Sequence, residues 1–236
     1  MTSKRKSTPS WNPLRSKASS SNSTPSYIRF HNEKAKSDFL ENFSRRGIHL
    51  ECHVVLSDFS NTDLPTVIYS RGWELLCDVL VTCLSVIIQE FYSKMHRFDY
   101  SVPLFITHVW DTRFVVTPDI VSEVLHVPRV AHLDYPGCDC LKTVSKDKLM
   151  FQFYGTASSW GGLQSTPCSA FAKGPRFLNM VMTFALHPLS HYNSIIESRA
   201  RFLLSLLEGL TIDFPSHFIL FLIHVYKKVY AKHLTP

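Results

Sequence analysis

The sequence lacks the motifs by which many enzymes are recognised. It contains no Gly-x-Gly-x-x-Gly loop, no phosphate-binding P-loop and no Gly-x-Ser-x-Gly turn. These motifs place backbone N–H groups or a serine nucleophile against a substrate, so nucleotide binding and serine hydrolysis have no support here. We therefore expect a protein that is not an enzyme and that needs no cofactor.

Long apolar runs are also lacking. The most apolar stretch is RGWELLCDVLVTCLSVIIQEFYSKM (71–95), and its uninterrupted apolar part lies between Asp78 and Glu90. The uninterrupted part is about half of the roughly 20 residues that a membrane span needs, and the run at 218–226 is too short as well. The start, MTSKRKSTPS, has no apolar segment of the secretory type. We expect no membrane contact and an intracellular protein, in the nucleus or the cytoplasm.

Excess positive charge is nearly absent from the body of the chain. The formal net charge is +6, and residues 1–26 supply +5 of it because they contain no acid. The cations of this segment are Lys4, Arg5, Lys6, Arg15 and Lys17. The segment is rich in Ser, Thr and Pro, and it holds too few apolar residues to offset its ordering entropy. We predict a disordered basic tail at 1–26 and a single domain at 27–236.

Paired cysteine motifs of the zinc-finger type are missing. The six cysteines have irregular spacings, which favours free thiols in a reducing compartment. Two clusters come nearest to a metal site, namely His49, Cys52 and His53, and His132, Cys138 and Cys140. A structural zinc site usually needs a second ligand pair downstream, and neither cluster has an obvious one. We expect these residues to have loop or core roles and predict no metal site.

Two further patterns resemble catalytic sites but lack essential groups. His187 and His191 have the spacing of a zinc-protease helix, but the glutamate is missing and Pro188 would break the helix. Asp111 stands beside a predicted strand, as an acid of a two-metal nuclease would. That chemistry needs further acids at the same point, and no acid occurs between Asp147 and Glu197. We predict that Asp111 is a residue of a hairpin turn.

The periodicity of apolar residues predicts a mostly α fold, α+β in class, with a small β-hairpin element. The stretch 71–95 is predicted as one long helix buried on most of its faces. The residues with the i, i+3, i+4 spacing of a helix in this stretch are Trp73, Leu76, Leu80, Leu84, Ile87 and Phe91.

Strands are predicted at three places. Residues 48–56 are β-branched and broadly alternating, and Leu104–Val109 and Arg113–Val116 are joined by a tight turn. We expect the last two to pair as a hairpin.

Polar residues mark the ends of several helices. Asn32 and Thr117 are placed to accept hydrogen bonds from the first free N–H groups of a helix. Ser194-Ile-Ile-Glu197 has the spacing of a capping box, and the helix it opens is predicted to end at Gly209. Pro215 is predicted to begin a last amphipathic helix.

Three segments together resemble a known family. They are residues 71–95, residues 108–128 (HVWDTRFVVTPDIVSEVLHVP) and residues 186–214 (LHPLSHYNSIIESRARFLLSLLEGLTIDF). In order and spacing they resemble the plant transposon protein domain, a family associated with plant retroelements and without an established activity. The resembling motif positions are Gly72, Trp73, Glu90, Phe91, Tyr92, Pro118, Pro128, His191 and Arg199.

The resemblance implies a domain derived from a plant transposable element. We expect it to act by protein–protein association, either with itself or with other proteins of the element. The alternative is nucleic-acid binding through the basic tail, helped by Arg45, Arg46, Lys227 and Lys228. A second alternative is a metal-dependent nuclease or transposase centred on Asp111.

Overall fold

Nine α-helices and five strands make up most of the regular structure in the described part of the chain. The structure is a computed structural model that describes residues 30, 32–44, 53–78, 84–161, 164–186 and 193–231, with residues 140 and 229–231 through their backbone only. The helices are α1 (Glu33–Asp38), α2 (Leu64–Tyr69), α3 (Ser85–Ser93), α4 (Pro118–Leu125), α5 (Asp139–Lys142), α6 (Lys146–Tyr154), α7 (Lys173–Val181), α8 (Glu197–Leu207) and α9 (Phe214–Ala231). The strands are β1 (His96–Asp99), β2 (Leu104–Val109), β3 (Thr112–Val116), β4 (Ser165–Pro167) and β5 (Ser194–Ile196). Shorter 3₁₀ segments are Leu56–Phe59 and Glu74–Cys77, and π-helical segments are Phe39–Phe43 and Met182–Leu186.

The strands form two small antiparallel sheets. The larger sheet has the order β1-β2-β3, and the smaller one pairs β4 with β5. Helices dominate the rest, so the predicted mostly α fold with a small β element is confirmed. Strand β1 was not predicted. Its register is interrupted by a bulge in which Arg97 has a φ of 51°, and such a break removes the regular alternation that sequence patterns detect.

The predicted hairpin is confirmed as β2 and β3. Trp110 and Asp111 form its two-residue turn with φ values of 47° and 64°. Two successive positive φ angles are the signature of a type I′ turn, whose twist matches that of the flanking strands. Asp111 is thus a turn residue, as the sequence predicts.

Two hydrophobic cores lie in the described part of the chain. The larger core is built mainly from the 74–77 segment, α6, α7, α8 and the start of α9. Its largest fully buried side chains include Trp73, Phe153, Phe202 and Phe214. The smaller core lies between the three-stranded sheet, α4 and α9, and it consists of Met95, Phe105, Val121, Ile219, Leu222 and Ile223. Helix α9 therefore joins the two cores.

The prediction of one continuous helix over 71–95 is wrong. A 3₁₀ turn occupies Glu74–Cys77, Asp78 is extended with a ψ of 158°, and α3 begins only after the extended Leu84. Leu84 is 64% exposed, although the helical stripe predicted burial. The physical reason is that the stretch serves both cores, since Trp73 packs in the larger one and Phe91 against the smaller one. No helix among the described residues has the length and apolar character to cross a membrane.

Two other local predictions fail where tertiary pairing prevails. Of the strand predicted at 48–56, residues 48–52 lie outside the described residues, and the chain after residue 55 is a 3₁₀ turn. The capping box at Ser194 is wrong because Ser194 pairs with Pro167 in a strand and α8 begins at Glu197. Glu197 instead bonds to Arg201 of the next helical turn.

Three predicted helix ends are confirmed. Asn32 Oδ1 accepts the N–H of Ala35 at 2.8 Å, and Thr117 Oγ1 accepts the N–H of Ile120 at 3.4 Å. At the end of α8, Gly209 has a φ of 70° and the N–H of Leu210 donates to the carbonyl of Ser205. That bond across a left-handed glycine is the Schellman arrangement. The last helix begins at Phe214, one residue before the predicted Pro215.

Candidate functional site

Glu90 lies where α3 meets the hairpin turn, and it is fully buried. Its Oε1 accepts a hydrogen bond from Lys94 Nζ at 2.6 Å and another from the backbone N–H of Trp110 at 3.1 Å. Lys94 is 2% exposed, so both charges of this pair are removed from water. Glu90 Oε2 has no hydrogen-bond partner among the described residues. The buried pair thus fixes the hairpin turn to α3.

The residues that follow Glu90 attach the sheet to α3. The Phe91 carbonyl accepts a hydrogen bond from Thr107 Oγ1 at 2.6 Å, and the Phe91 ring meets the Phe105 ring edge-on at 5.8 Å. Tyr92 stacks on Phe43 with 6.3 Å between ring centroids. The Glu-Phe-Tyr motif is therefore a structural joint between α3, the sheet and the 39–43 segment.

Gly72 and Pro128, two other motif positions, lie next to each other. Gly72 has a φ of 63°, and a Cβ there would lie 3.3 Å from Cδ of Pro128. Trp73 is 1% exposed and its ring lies 5.2 Å from that of Phe214. Arg71 donates to the carbonyls of Leu206 and Leu210 at the end of α8. The Gly-Trp motif therefore packs the 71–73 turn against α8 and α9.

Replacing Gly72 with alanine is expected to lower the free energy of unfolding by about 1–2 kcal/mol, because a left-handed backbone strains any L side chain. Chemical denaturation measures the change. Gly155→Ala is the matched control, since Gly155 has a φ of 73° and a Cβ added there would meet no heavy atom within 4 Å. The Pro128 contact adds to the loss only at Gly72. Equal losses in the two variants would contradict a role for that contact.

Arg199, also a motif position, is buried in the larger core. It donates a hydrogen bond to Thr183 Oγ1 and is 3% exposed. Burial lowers the pKa of its guanidinium to about 10. Burial also raises the pKa of the nearby Cys168 thiol to about 11, and the pKa of Cys77 is raised to about 11 in the same way. Both free thiols therefore stay protonated near neutral pH and are poor nucleophiles.

Pro118 is buried in the first turn of α4. The same helix is tied to α9 by Arg129, which bonds to Asp119 and to Asp213, with 3.0 Å between Arg129 Nε and Asp213 Oδ1. Asp213 is 4% exposed, so this ion pair is partly buried. Its position between α4 and α9 gives it a structural role.

The candidate catalytic acids and the candidate His and Cys metal ligands are not brought together in the described part of the chain. Within it, no group of three or more His, Cys, Asp or Glu side chains could hold a metal ion. His53 lies 3.4 Å from Asp78, and Asp111 stands at the exposed end of the hairpin. Cys138 is disulfide-bonded, which corrects the prediction that all six thiols are free. The sequence-predicted residues outside the described ranges, or described by backbone only, are Lys4, Arg5, Lys6, Arg15, Lys17, Arg45, Arg46, His49, Cys52, Cys140, His187 and His191.

The outer edge of β3 is the most exposed part of the sheet. All residues from 110 to 114 are exposed, including Trp110 at 56% and Phe114 at 45%. In a two-residue hairpin the residues flanking the turn exchange both hydrogen bonds, and every second residue does so thereafter. Thr112, Phe114 and Val116 thus bond to β2, whereas Arg113 and Val115 direct their N–H and carbonyl groups outward. We name residues 110–116 the hairpin edge.

No family model matches this chain, and neither a curated protein nor a solved structure matches it. The resemblance to the plant transposon protein domain therefore stays a prediction from the motif residues. Sequence reasoning pointed to Glu90 but missed Lys94, although the two are four residues apart, the spacing at which oppositely charged side chains meet on a helix.

Proposed function

We propose that this chain is a non-enzymatic domain derived from a plant transposable element, and that it associates with a second copy of itself through the hairpin edge. The resemblance of the three sequence segments supports the origin. The outer edge of β3 supports the association. It is exposed and pairs with no other strand in the part of the chain that the structure describes, and an unpaired strand edge is a template for another strand. Surface strands without such a role are usually short, charged or covered, whereas β3 carries the exposed Phe114.

The occupant that fits this edge best is a second β3 running antiparallel. Pairing about a two-fold axis at Phe114 places Arg113 of one copy opposite Val115 of the other. The outward N–H and carbonyl groups then satisfy each other, and no like charges face each other. The two Phe114 rings would form a cross-strand aromatic pair, and two three-stranded sheets would join into one.

The predicted non-enzymatic character is supported by the chemistry of the described side chains. The free thiols Cys77 and Cys168 are buried and have raised pKa values. Asp111 lies in a hairpin turn, and its positive φ angle is one that aspartate tolerates, so a structural role explains why this residue type stands there. Unchanged nucleic-acid cleavage after Asp111→Asn would remove the nuclease alternative, and a loss of cleavage would support it.

Two variants test the association by light scattering after size-exclusion chromatography over a range of concentrations. Val115→Pro is expected to abolish dimer formation with little change in the melting temperature, because the N–H it removes points away from β2. Phe114→Ser is expected to raise the dimer dissociation constant at least about tenfold, since it removes from each copy an aromatic side chain that dimer formation would bury.

The matched control is Phe151→Ser on α6, where Phe151 is 53% exposed and lies outside the hairpin edge. This variant is expected to dimerise like the unchanged chain. A chain that is monomeric at every concentration would contradict the proposal. So would an equal weakening by Phe114→Ser and Phe151→Ser, because that result would indicate general loss of surface hydrophobicity.

A further inference from the structure

Exposed cations and an exposed aromatic ring meet on the opposite side of the sheet from β3. His224, Lys227 and Lys228 of α9 are all exposed, and their i, i+3, i+4 spacing puts them on one helical face. Lys227 Nζ lies 4.5 Å from the ring centroid of Tyr100, in the loop after β1. Tyr100 is 51% exposed. We name Tyr100, His224, Lys227 and Lys228 the lysine–tyrosine surface.

The packing beneath this surface holds it in place. The ring of Phe98 lies 5.1 Å from that of Tyr226, which joins β1 to α9. Lys227 Nζ also lies 5.6 Å from the Phe98 ring, so two aromatic faces attract the same ammonium group. The Tyr100 ring and the Lys227 charge are therefore adjacent before any partner arrives, and binding would require little reordering.

The neighbouring acid, Asp99, is engaged in hydrogen bonds within its own loop. Asp99 Oδ1 accepts hydrogen bonds from the N–H of Ser101 at 2.8 Å, from the Ser101 hydroxyl at 2.7 Å and from the N–H of Val102 at 3.2 Å. These bonds lower the pKa of Asp99, so it remains charged. Arg97, exposed and two residues earlier, carries the opposite charge. With Lys227 and Lys228 the region keeps a net positive charge.

We propose that the lysine–tyrosine surface binds single-stranded nucleic acid, with a base stacked on Tyr100 and the adjoining phosphates on Lys227 and Lys228. Aromatic rings beside cations are the combination that such ligands require, because every base has a stacking face and every linkage carries a negative charge. An acidic peptide would use the cations but leave the exposed ring without a role. This site goes beyond the proposed association, and β1 and β3 are opposite edges of the sheet, so both surfaces can be occupied together.

Fluorescence anisotropy of the full chain with a labelled oligothymidylate, measured over a series of salt concentrations, tests the site. Replacing Lys227 and Lys228 with glutamine is expected to reduce the slope of log affinity against log salt by about 1.4, since each lost phosphate contact on a single strand contributes about 0.7. Tyr100→Ala is expected to weaken binding about fivefold to a hundredfold with the slope unchanged, and Tyr100→Phe is expected to restore it.

Two controls separate this site from general electrostatics. Lys142→Gln with Lys146→Gln removes the same charge from lysines paired with Asp139 and Glu197, and is expected to leave the slope unchanged. Replacing the five tail cations with glutamine measures the contribution of residues 1–26 in the same assay. The proposal is overturned if the unchanged chain does not bind, if only the tail variant loses affinity, or if both lysine pairs have equal effects. Binding to phosphatidylserine vesicles but not to the oligonucleotide would overturn it as well.

Discussion

Replacing Lys94 with methionine is expected to lower the free energy of unfolding by about 3–5 kcal/mol, because it leaves the carboxylate of Glu90 buried without its counter-charge. Methionine has a similar length, so the loss does not come from an empty cavity. Glu90→Leu is also expected to lower the free energy of unfolding, since it removes the carboxylate that accepts the hydrogen bond from the buried ammonium of Lys94. Urea denaturation followed by circular dichroism measures both variants.

The double variant distinguishes a charge effect from a packing effect. Glu90→Leu combined with Lys94→Met removes both buried charges, and it is expected to recover most of the loss of either single variant. The N–H of Trp110 loses its acceptor in the double variant, which leaves a residual loss of about 1 kcal/mol. A double variant as unstable as the sum of the two single variants would contradict this account.

An exposed ion pair of the same kind provides the control. Lys146 Nζ lies 3.1 Å from Glu197 Oε2, and the two side chains are 43% and 39% exposed. Lys146→Met is therefore expected to change the free energy of unfolding by less than about 1 kcal/mol. The contrast between the two methionine variants compares the loss of a buried counter-charge with the loss of an exposed one, since Glu197 is exposed to water and keeps its bond to Arg201.

The buried pair also bears on the proposed association surface. Trp110 and Asp111 adopt left-handed conformations, which aspartate tolerates but which are unfavourable for tryptophan. The hydrogen bond from Trp110 to Glu90 Oε1 helps to hold the turn in that conformation. The register of β3 against β2, and hence the outward direction of its edge groups, follows from the turn. A buried carboxylate of α3 thus stabilises an edge that is exposed at the surface.

Local signals predicted the elements that local chemistry determines. Thr117 caps α4 and Gly209 ends α8 because each acts on backbone groups a few residues away. The 71–95 stretch was not predictable in this way. Its apolar residues satisfy helical spacing, yet they are divided between two cores, and spacing carries no information about which core a residue meets. Ser194 likewise follows its pairing with Pro167, a long-range contact that its capping pattern does not report.

The candidate surfaces were only partly predictable for the same reason. Glu90 and Lys227 drew attention in the sequence, but their partners Trp110 and Tyr100 are brought to them by the hairpin and by the packing of β1 on α9. Lys94 was the exception, because its spacing from Glu90 could have revealed the pair. Burial of that pair depends on the 39–43 segment and β2, which meet α3 only in the folded chain.

The free energy of unfolding is expected to fall by about 3 kcal/mol as the pH is lowered from 6.5 to 4, because His217 of α9 is buried in its neutral form. The imidazole of His217 stacks on the Phe202 ring at 4.4 Å and meets the Tyr135 ring at 5.2 Å, and its Nε2 is buried. Burial lowers the pKa of His217 to about 4 from its ordinary 6.5. Between these values the unfolded chain binds a proton that the folded chain does not, so the folded state loses stability as the pH falls. Above pH 6.5 the contribution is fully present.

His217→Phe is expected to flatten this part of the pH profile, because phenylalanine keeps the stack on Phe202 and has no proton to bind. Denaturant unfolding at intervals between about pH 4 and 7 measures the slope for each variant. His224→Gln on the same helix is the control, since His224 is exposed and its replacement is expected to leave the slope as it is. A His217→Phe variant with an undiminished slope would show that other groups carry the dependence. The stack of His217 on Phe202 joins α9 to α8, so protonation weakens the packing of α9 against the larger core.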